Sequence, residues 1–259
     1  MLSEKITLMK MCYTLGSNPY MWGKLLLFSI WVRAFKHWQA SGYGWKFSVK
    51  KFGKVVQLYL KDLSDYFVFK ELFFEDDYGH DFEVGDECII DIGANNGLSA
   101  LYFSLKYPKS KIYACEPDPR TFMRLVANAL GSEHIIPLQL AVSDQNGFLT
   151  FYSTPRAISS SQVKRNDQAR EVSVPSQTLD TLLESIGERV GLLKIDVEGA
   201  EQPIVEAWIN KDRVNNIVGE FHQDLVNVDK ETFFSWLDTF ELETFERGPK
   251  RTVFYGKTR

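Results

Sequence analysis

Residues 88–97 have the sequence CIIDIGANNG, an apolar run that ends in Asp91 and is followed by two glycines. Such a run is typical of a buried parallel strand that breaks into a tight loop before a helix. Glycine lets the backbone turn sharply and approach a ligand closely, because it has no Cβ. Residues 111–116 read as the next strand, and Glu116 at its end could accept hydrogen bonds from both hydroxyls of a ribose. These residues predict a nucleotide-cofactor site.

The spacing of the loop indicates which cofactor is bound. A dinucleotide fold uses the pattern G-x-G-x-x-G, with the pyrophosphate close to a helix N-terminus. Here Gly93 and Gly97 are four residues apart, and Asp91 would repel a phosphate. S-adenosylmethionine (SAM) has a ribose, an ammonium and a sulfonium but no phosphate, so it fits better than NAD. An NAD-dependent oxidoreductase is therefore disfavoured, and the remaining alternative is a glycine turn without a ligand.

The composition is that of an ordinary globular protein. The 259 residues carry a net charge of −4, with 44% hydrophobic and 25% charged residues, and no basic tract that would bind nucleic acid. Cys12, Cys88 and Cys115 are odd in number and lack metal spacing, so we expect reduced, buried thiols in a cytoplasmic protein. No secretory signal pattern is evident in the first residues.

Residues 1–81 are aromatic-rich and predict an N-terminal appendage. We expect a helix near 20–39, a hairpin of strands near 45–50 and 54–60, and a short helix from Asp65 to Phe74. The appendage is expected to cover the mouth of the cofactor site and to contact the acceptor. The apolar run of the first helix, residues 25–32, is bracketed by Lys24 and Arg33 and is too short to span a bilayer. Peripheral contact with a membrane is the alternative role for its aromatic and basic residues, which are Trp22, Lys24, Trp31, Arg33, Phe35, Lys36, His37 and Trp38.

Residues 82–259 alternate between strand and helix patterns, which predicts an α/β domain with helices on both faces of a parallel sheet. We expect strands near 88–92, 111–116, 135–140, 190–196 and 215–220, with a closing pair near 241–246 and 252–256. Helices are expected near 98–107, 119–130, 178–186, 200–211 and 229–239. An insertion at about 147–175 predicts a surface hairpin with a mobile tip.

A second acidic cluster follows another buried strand, at residues 192–201 with the sequence LLKIDVEGAE. Ligands of open α/β sheets bind at the carboxyl ends of the strands, where the strand order reverses. Glu220 and His222 end the next strand along the chain. We therefore expect one crevice to collect Lys194, Asp196, Glu198, Glu220 and His222.

These residues allow two ways to activate an acceptor hydroxyl. His222 could act as a general base, with Asp196 and Glu198 as further catalytic candidates. A divalent metal held by Asp196 and Glu198, with Glu220 or His222, could instead lower the pKa of the hydroxyl. Lys194 either joins the site or neutralises a carboxylate. Glu201 lies in the first turn of a helix, where the helix dipole favours an acid, and is expected to be structural.

The chain resembles the FkbM family of SAM-dependent methyltransferases from about Asp65 to His222. The landmarks are residues 90–97, 116–119, 140–144, 174–180 and 194–201, of which the last is the most specific. The resemblance implies a class I methyltransferase, with a Rossmann-like sheet of seven strands whose last strand is antiparallel. It implies O-methylation of a saccharide, glycolipid or related metabolite, with an N-methyltransferase or a non-catalytic SAM-binding module as alternatives.

The same resemblance implies roles for individual residues in cofactor binding. Ser143 or Asp144 would contact the adenine, and Glu116 the ribose. The methionine portion of SAM would be contacted by Asp91, Gly93, Asn95 and Gly97. The first seventy or so residues resemble no family, which matters because acceptor choice usually resides in such appendages and loops.

Overall fold

The protein is described by a computed structural model that covers residues 2–35, 42–153 and 170–259. Its centre is a sheet of seven strands, as predicted. They are β3 (Cys88–Ile92), β4 (Ile112–Cys115), β5 (Ile135–Leu138), β9 (Val190–Ile195), β10 (Asn216–His222), β11 (Phe240–Glu246) and β12 (Arg251–Thr258). The spatial order is β11-β12-β10-β9-β3-β4-β5, and β12 runs antiparallel to both neighbours. The strand order reverses between β3 and β9, where such folds bind their ligands.

The apolar sequence of the central strands explains their position. Every residue of β3 and β9 is buried, as expected for parallel strands covered by helices on both faces. The helices are α4 (Leu98–Lys106), α5 (Pro119–Ala129), α6 (Leu179–Ile186), α7 (Glu201–Ala207) and α8 (Lys230–Ser235). Helix α7 is shorter than predicted, because Trp208 is extended and the Asp180 carboxylate accepts the backbone N–H groups of the next two residues.

The first part of the chain forms a helical pair and a hairpin. Its elements are α1 (Leu2–Leu15), α2 (Pro19–Ala34), β1 (Trp45–Lys51), β2 (Lys54–Leu60) and α3 (Leu63–Phe69), and a π-helical turn follows at Lys70–Glu75. The sequence did not predict α1. Helix α2 begins at Pro19 because the Asn18 side chain accepts the Met21 N–H. The expected extension of α2 to residue 39, including Trp38, lies outside the described residues.

The appendage packs against one face of the large sheet. Its buried side chains, among them Leu15, Phe28 and Phe47, belong to the same hydrophobic cluster as Leu101 of α4 and Ile89 of β3. Polar contacts add to this packing. The buried Asp65 carboxylate accepts a hydrogen bond of 2.7 Å from the Asn96 side chain and pairs with Arg124.

The insertion and the segment before it form a small second sheet of three strands, which are β6 (Ala141–Ser143), β7 (Gly147–Ser153) and β8 (Arg170–Thr178). Strands β7 and β8 pair antiparallel, and β6 runs parallel to β8. The tip that the sequence predicts to be mobile lies outside the described residues. The three cysteines are buried and free. None of the helices within residues 2–35, 42–153 and 170–259 has the length and apolarity needed to cross a bilayer.

Candidate active site

The loops that follow β3 and β9 touch at the point where the strand order reverses. Gly93 has φ +77°, and a Cβ at this position would lie 1.9 Å from the carbonyl oxygen of Asp196. Gly97 has φ +84°, and a Cβ there would lie 2.7 Å from Leu125 of α5. Gly93 is therefore required by the close packing of the two loops, and Gly97 is favoured by its left-handed backbone, in addition to any approach of a ligand.

A cavity opens beside these loops. It collects five of the predicted site residues, which are Gly93, Asn95, Glu116, Asp196 and Glu198. The remaining walls come from Ile92, Pro117, Leu140, Ala141, Val142, Phe151, Val197 and Ala200. The other predicted site residues do not line this cavity, and they are Asp91, Gly97, Ser143, Asp144, Glu220 and His222.

Glu116 lines the cavity, and two hydrogen bonds fix the orientation of its carboxylate. Its carboxylate accepts the backbone N–H of Asn95 at 3.0 Å and that of Asp118 at 2.9 Å. Burial raises the pKa of Glu116 to about 8, and the negative charge of Asp118 adds to the effect. Each carboxylate oxygen retains a lone pair that can accept from a hydroxyl. A ligand that donates hydrogen bonds here would stabilise the ionised carboxylate.

Asp91 supports the loop that follows β3 and does not line the cavity. Its side chain is fully buried, accepts a hydrogen bond of 2.6 Å from the Ser99 hydroxyl, and lies 3.0 Å from the Lys194 ammonium. Lys194 in turn donates to the carbonyl oxygen of Gly93 at 2.8 Å. Burial lowers the pKa of Lys194, but the charges of Asp91 and Asp196 outweigh burial and raise it. Asp91 and Lys194 therefore stabilise the conformation of the loop that contains Gly93.

The predicted adenine contacts, Ser143 and Asp144, are not part of the cavity wall. The Ser143 hydroxyl is buried 2.6 Å from that of Ser176, and Asp144 is exposed. The neighbouring cavity wall is instead apolar, with Leu140, Val142 and Phe151. Such a wall suits a planar base better than a charge does. The sequence signal for this wall was the apolar start of the 140–144 segment.

His222 ends β10 as a buried imidazole that is held on one side only. Its Nδ1 lies 2.7 Å from Glu201, which is itself fully buried in the first turn of α7. Its Nε2 lies 3.7 Å from Glu220 and 3.9 Å from Glu198, and finds no hydrogen-bond partner among the described residues. Burial lowers the pKa of His222, but the hydrogen bond and charge of Glu201 outweigh burial and raise it to about 9.

Acidic side chains from the ends of β9 and β10 lie close together around His222, as predicted. One ligand atom each from Asp196, Glu220 and His222 lie within 4.8 Å of one another. Burial raises the pKa of Glu220 to about 8. Two residues that the sequence did not indicate also reach the cluster. The Tyr78 hydroxyl donates to Asp196 at 3.4 Å, and Arg251 lies 3.8 Å from Glu220.

The sheet order with an antiparallel last strand, and a cavity at the reversal point bounded by Glu116, define a SAM-dependent class I methyltransferase. Comparison with known proteins identifies its family. Residues 91–247 match the family model described as the methyltransferase FkbM domain, and the chain belongs to that family.

Three relatives show the extent of the similarity. Methyltransferase 1 of Beauveria bassiana is 30% identical over 182 residues, which cover 60% of this chain and 72% of that protein. The hexuronic acid methyltransferase AglP of Haloferax volcanii is 30% identical, over 53% of this chain and 56% of AglP. The 2-O-methyltransferase NoeI of Sinorhizobium fredii is 27% identical, over 48% of this chain and 58% of NoeI. The match therefore spans little more than half the length of the last two relatives.

Proposed function

We propose that this methyltransferase transfers the methyl group of SAM to a hydroxyl of a saccharide, glycolipid or related metabolite. Two relatives are named for related reactions, a hexuronic acid methyltransferase and a 2-O-methyltransferase. The observation that carries the proposal is the buried His222–Glu201 pair, whose free nitrogen lies beside acids that line the cavity. A hydroxyl must lose its proton to become a strong nucleophile, whereas a neutral amine already is one.

In the proposed reaction the acceptor oxygen attacks the sulfonium methyl in line. The new O–CH₃ bond forms as the S–CH₃ bond breaks, and S-adenosylhomocysteine (SAH) leaves with the bonding electron pair. The hydroxyl proton is removed at the corner formed by Asp196, Glu220 and His222. Orientation of two bound reactants can contribute about 7–11 kcal/mol of barrier lowering. A positioned group that removes the proton typically contributes about 10²–10⁴-fold.

Two devices can remove that proton at this corner. Because the pKa of His222 is raised to about 9, its main form at neutral pH is the imidazolium, and the neutral form that can act as a base is the minor one. In that neutral form His222 donates Nδ1–H to Glu201 and carries a lone pair on Nε2, which can accept the proton directly. A divalent ion held by the same residues would instead lower the pKa of the hydroxyl. Both devices use Nε2 of the same buried imidazole. This nitrogen can therefore act as the base or as a ligand of the ion, but not as both.

We further propose that the appendage makes a peripheral contact with the cytoplasmic face of a membrane, where a lipid-linked acceptor would be found. Of the sixteen large apolar side chains that are exposed in the described residues, seven lie within residues 2–35. They are Ile6, Met9, Tyr13, Tyr20, Leu27, Ile30 and Phe35. Helices with such exposed apolar side chains can lie in a membrane interface.

Flotation with phosphatidylcholine vesicles, with and without anionic lipid, tests this contact. Burial of one Leu or Ile side chain contributes about 1.5–3 kcal/mol, so the double substitution Leu27→Ser and Ile30→Ser should weaken partitioning more than tenfold. Leu130→Ser is the matched control, because Leu130 is exposed outside the appendage. Equal partitioning of the double variant and the control would contradict the membrane contact.

The acceptor is tested by transfer of label from methyl-labelled SAM into fractionated extract of the source cell. Label in a saccharide or glycolipid fraction, absent with Glu116→Gln, is the expected result. Label in protein or in an amine fraction would favour N-methylation. Tight SAM binding without transfer to any fraction would contradict the proposed reaction.

A further inference from the structure

Three side chains from the ends of two adjacent strands converge beside the cavity. Asp196 follows β9, while Glu220 and His222 lie at the end of the adjacent β10. Their ligand atoms all lie within 4.8 Å of one another. Atoms bound to a tetrahedral ion with bonds of about 2.1 Å are separated by about 3.4 Å. The observed 3.7 Å between His222 Nε2 and Glu220 is therefore close to the spacing that an ion imposes.

The orientation of His222 points independently to a ligand. Its imidazole is almost completely buried, and Nε2 has no hydrogen-bond partner among the described residues. A buried nitrogen without a partner is unfavourable because it has lost its hydrogen bond to water, so such an atom calls for a ligand. Its other nitrogen is bonded to the buried Glu201. A carboxylate that holds one imidazole nitrogen while the other faces a metal is the usual arrangement around metal-binding histidines.

We infer that Asp196, Glu220 and His222 Nε2 form a binding site for a divalent metal ion, with Glu201 as the positioning residue for the imidazole. The sequence indicated Asp196 and Glu198, with Glu220 or His222, as metal ligands, and the grouping in the structure is Asp196 with both Glu220 and His222. One nitrogen and two carboxylate ligands suit Mn²⁺ or Zn²⁺ better than Ca²⁺, which prefers six or more oxygens.

The position of the site gives the ion a role that rests on the proposed function. Asp196 is both a ligand and part of the wall of the cofactor cavity. Three protein ligands leave at least one coordination position open. An acceptor hydroxyl bound there would have a lowered pKa, would release its proton to solvent, and would face the methyl donor as an alkoxide.

Binding of Mn²⁺ to the full chain, followed by electron paramagnetic resonance in the presence of SAH, tests the site itself. We expect about one ion per chain. Glu220→Gln and His222→Gln should each weaken binding at least tenfold, and Glu201→Gln by about 10–100-fold through the imidazole. Glu206→Gln and His134→Gln are the matched controls, because both side chains are exposed elsewhere on the protein. Both controls should bind Mn²⁺ as the unmodified chain does.

Two further measurements distinguish loss of the metal site from loss of the fold. Urea unfolding and SAH affinity establish whether each variant is folded. If His222→Gln unfolds, the Mn²⁺ affinity of Glu220→Gln still tests the site, because Glu220 is partly exposed. Absence of Mn²⁺ and Zn²⁺ binding, or equal affinity in Glu220→Gln, would overturn the site. Full methyl transfer by chelator-treated protein would overturn the role of the ion but not the proposed reaction. Ion binding at these residues without transfer to any hydroxyl would support the site and overturn the proposed reaction.

Discussion

Replacement of Gly93 by alanine tests the contact between the two loops that form the site. The backbone at Gly93 has φ +77°, and a Cβ would lie 1.9 Å from the Asp196 carbonyl oxygen. The left-handed backbone alone costs a residue with a Cβ about 1–2 kcal/mol. Relief of the overlap by a shift of the loops adds about 1–3 kcal/mol. We expect Gly93→Ala to reduce the free energy of unfolding by about 2–5 kcal/mol.

Gly53→Ala is the control that separates the two causes. Gly53 has φ +74°, but no atom lies within 4 Å of the position of its Cβ, so only the backbone cost applies. Urea unfolding of both variants gives the difference directly. Calorimetric titration gives the SAM affinity of both variants as a second test, because Gly93 and Asp196 both line the cavity. Loss of one hydrogen bond through the shift, worth about 1 kcal/mol, should weaken SAM binding about fivefold. Equal stability of the two variants, with unchanged SAM affinity, would refute the loop contact.

Three further predictions concern Glu116 and the attachment of the appendage. Glu116→Gln should weaken SAM binding about 100-fold, because two charge-assisted hydrogen bonds to a ribose are worth about 3 kcal/mol, whereas equal affinity by calorimetry would remove Glu116 from the site. The pKa of about 8 means that the carboxyl is largely protonated below pH 8 without ligand. SAM affinity should therefore rise between pH 6.5 and 8.5 more steeply in the unmodified chain than in Glu116→Gln, and parallel curves would count against the ionised carboxylate. Asp65→Asn should cost about 3–5 kcal/mol in urea unfolding, since it leaves Arg124 without its buried partner. Asp86→Asn, which breaks an exposed pair, should cost less than about 1 kcal/mol, and similar losses in both would contradict the role of burial.

The sequence predicted the central sheet well for a physical reason. Parallel strands that are buried on both faces are continuous apolar runs, such as Val190–Ile195, and each run ends where the acids and glycines begin. Helix α1 was missed because it is apolar on two opposite faces. Met11 and Leu15 are buried in the core, whereas Ile6 and Met9 are exposed. Apolar side chains on the exposed side as well as on the buried side weaken the periodicity by which amphipathic helices are identified.

The sequence located the site but could not assign the contacts within it. The ends of β3 and β9 had to meet at one edge of the sheet, so their acids and glycines could be placed together. The direction of each side chain depends on packing between elements that are distant in sequence. Glu201 was expected to serve only the helix terminus, yet it holds His222, 21 residues away. Tyr78 reaches Asp196 across 118 residues, which no local pattern indicates.

The most direct test of methyl transfer to a hydroxyl is the ¹³C chemical shift of the transferred methyl group. The full chain, SAM labelled with ¹³C at the methyl carbon, and the acceptor fraction provide the sample, with Glu116→Gln as the control. We expect a new resonance in the methyl ether region that grows as the SAM signal falls, and that is lost in the variant. A resonance in the N-methyl region, or a SAM signal that persists with every acceptor fraction, would contradict it.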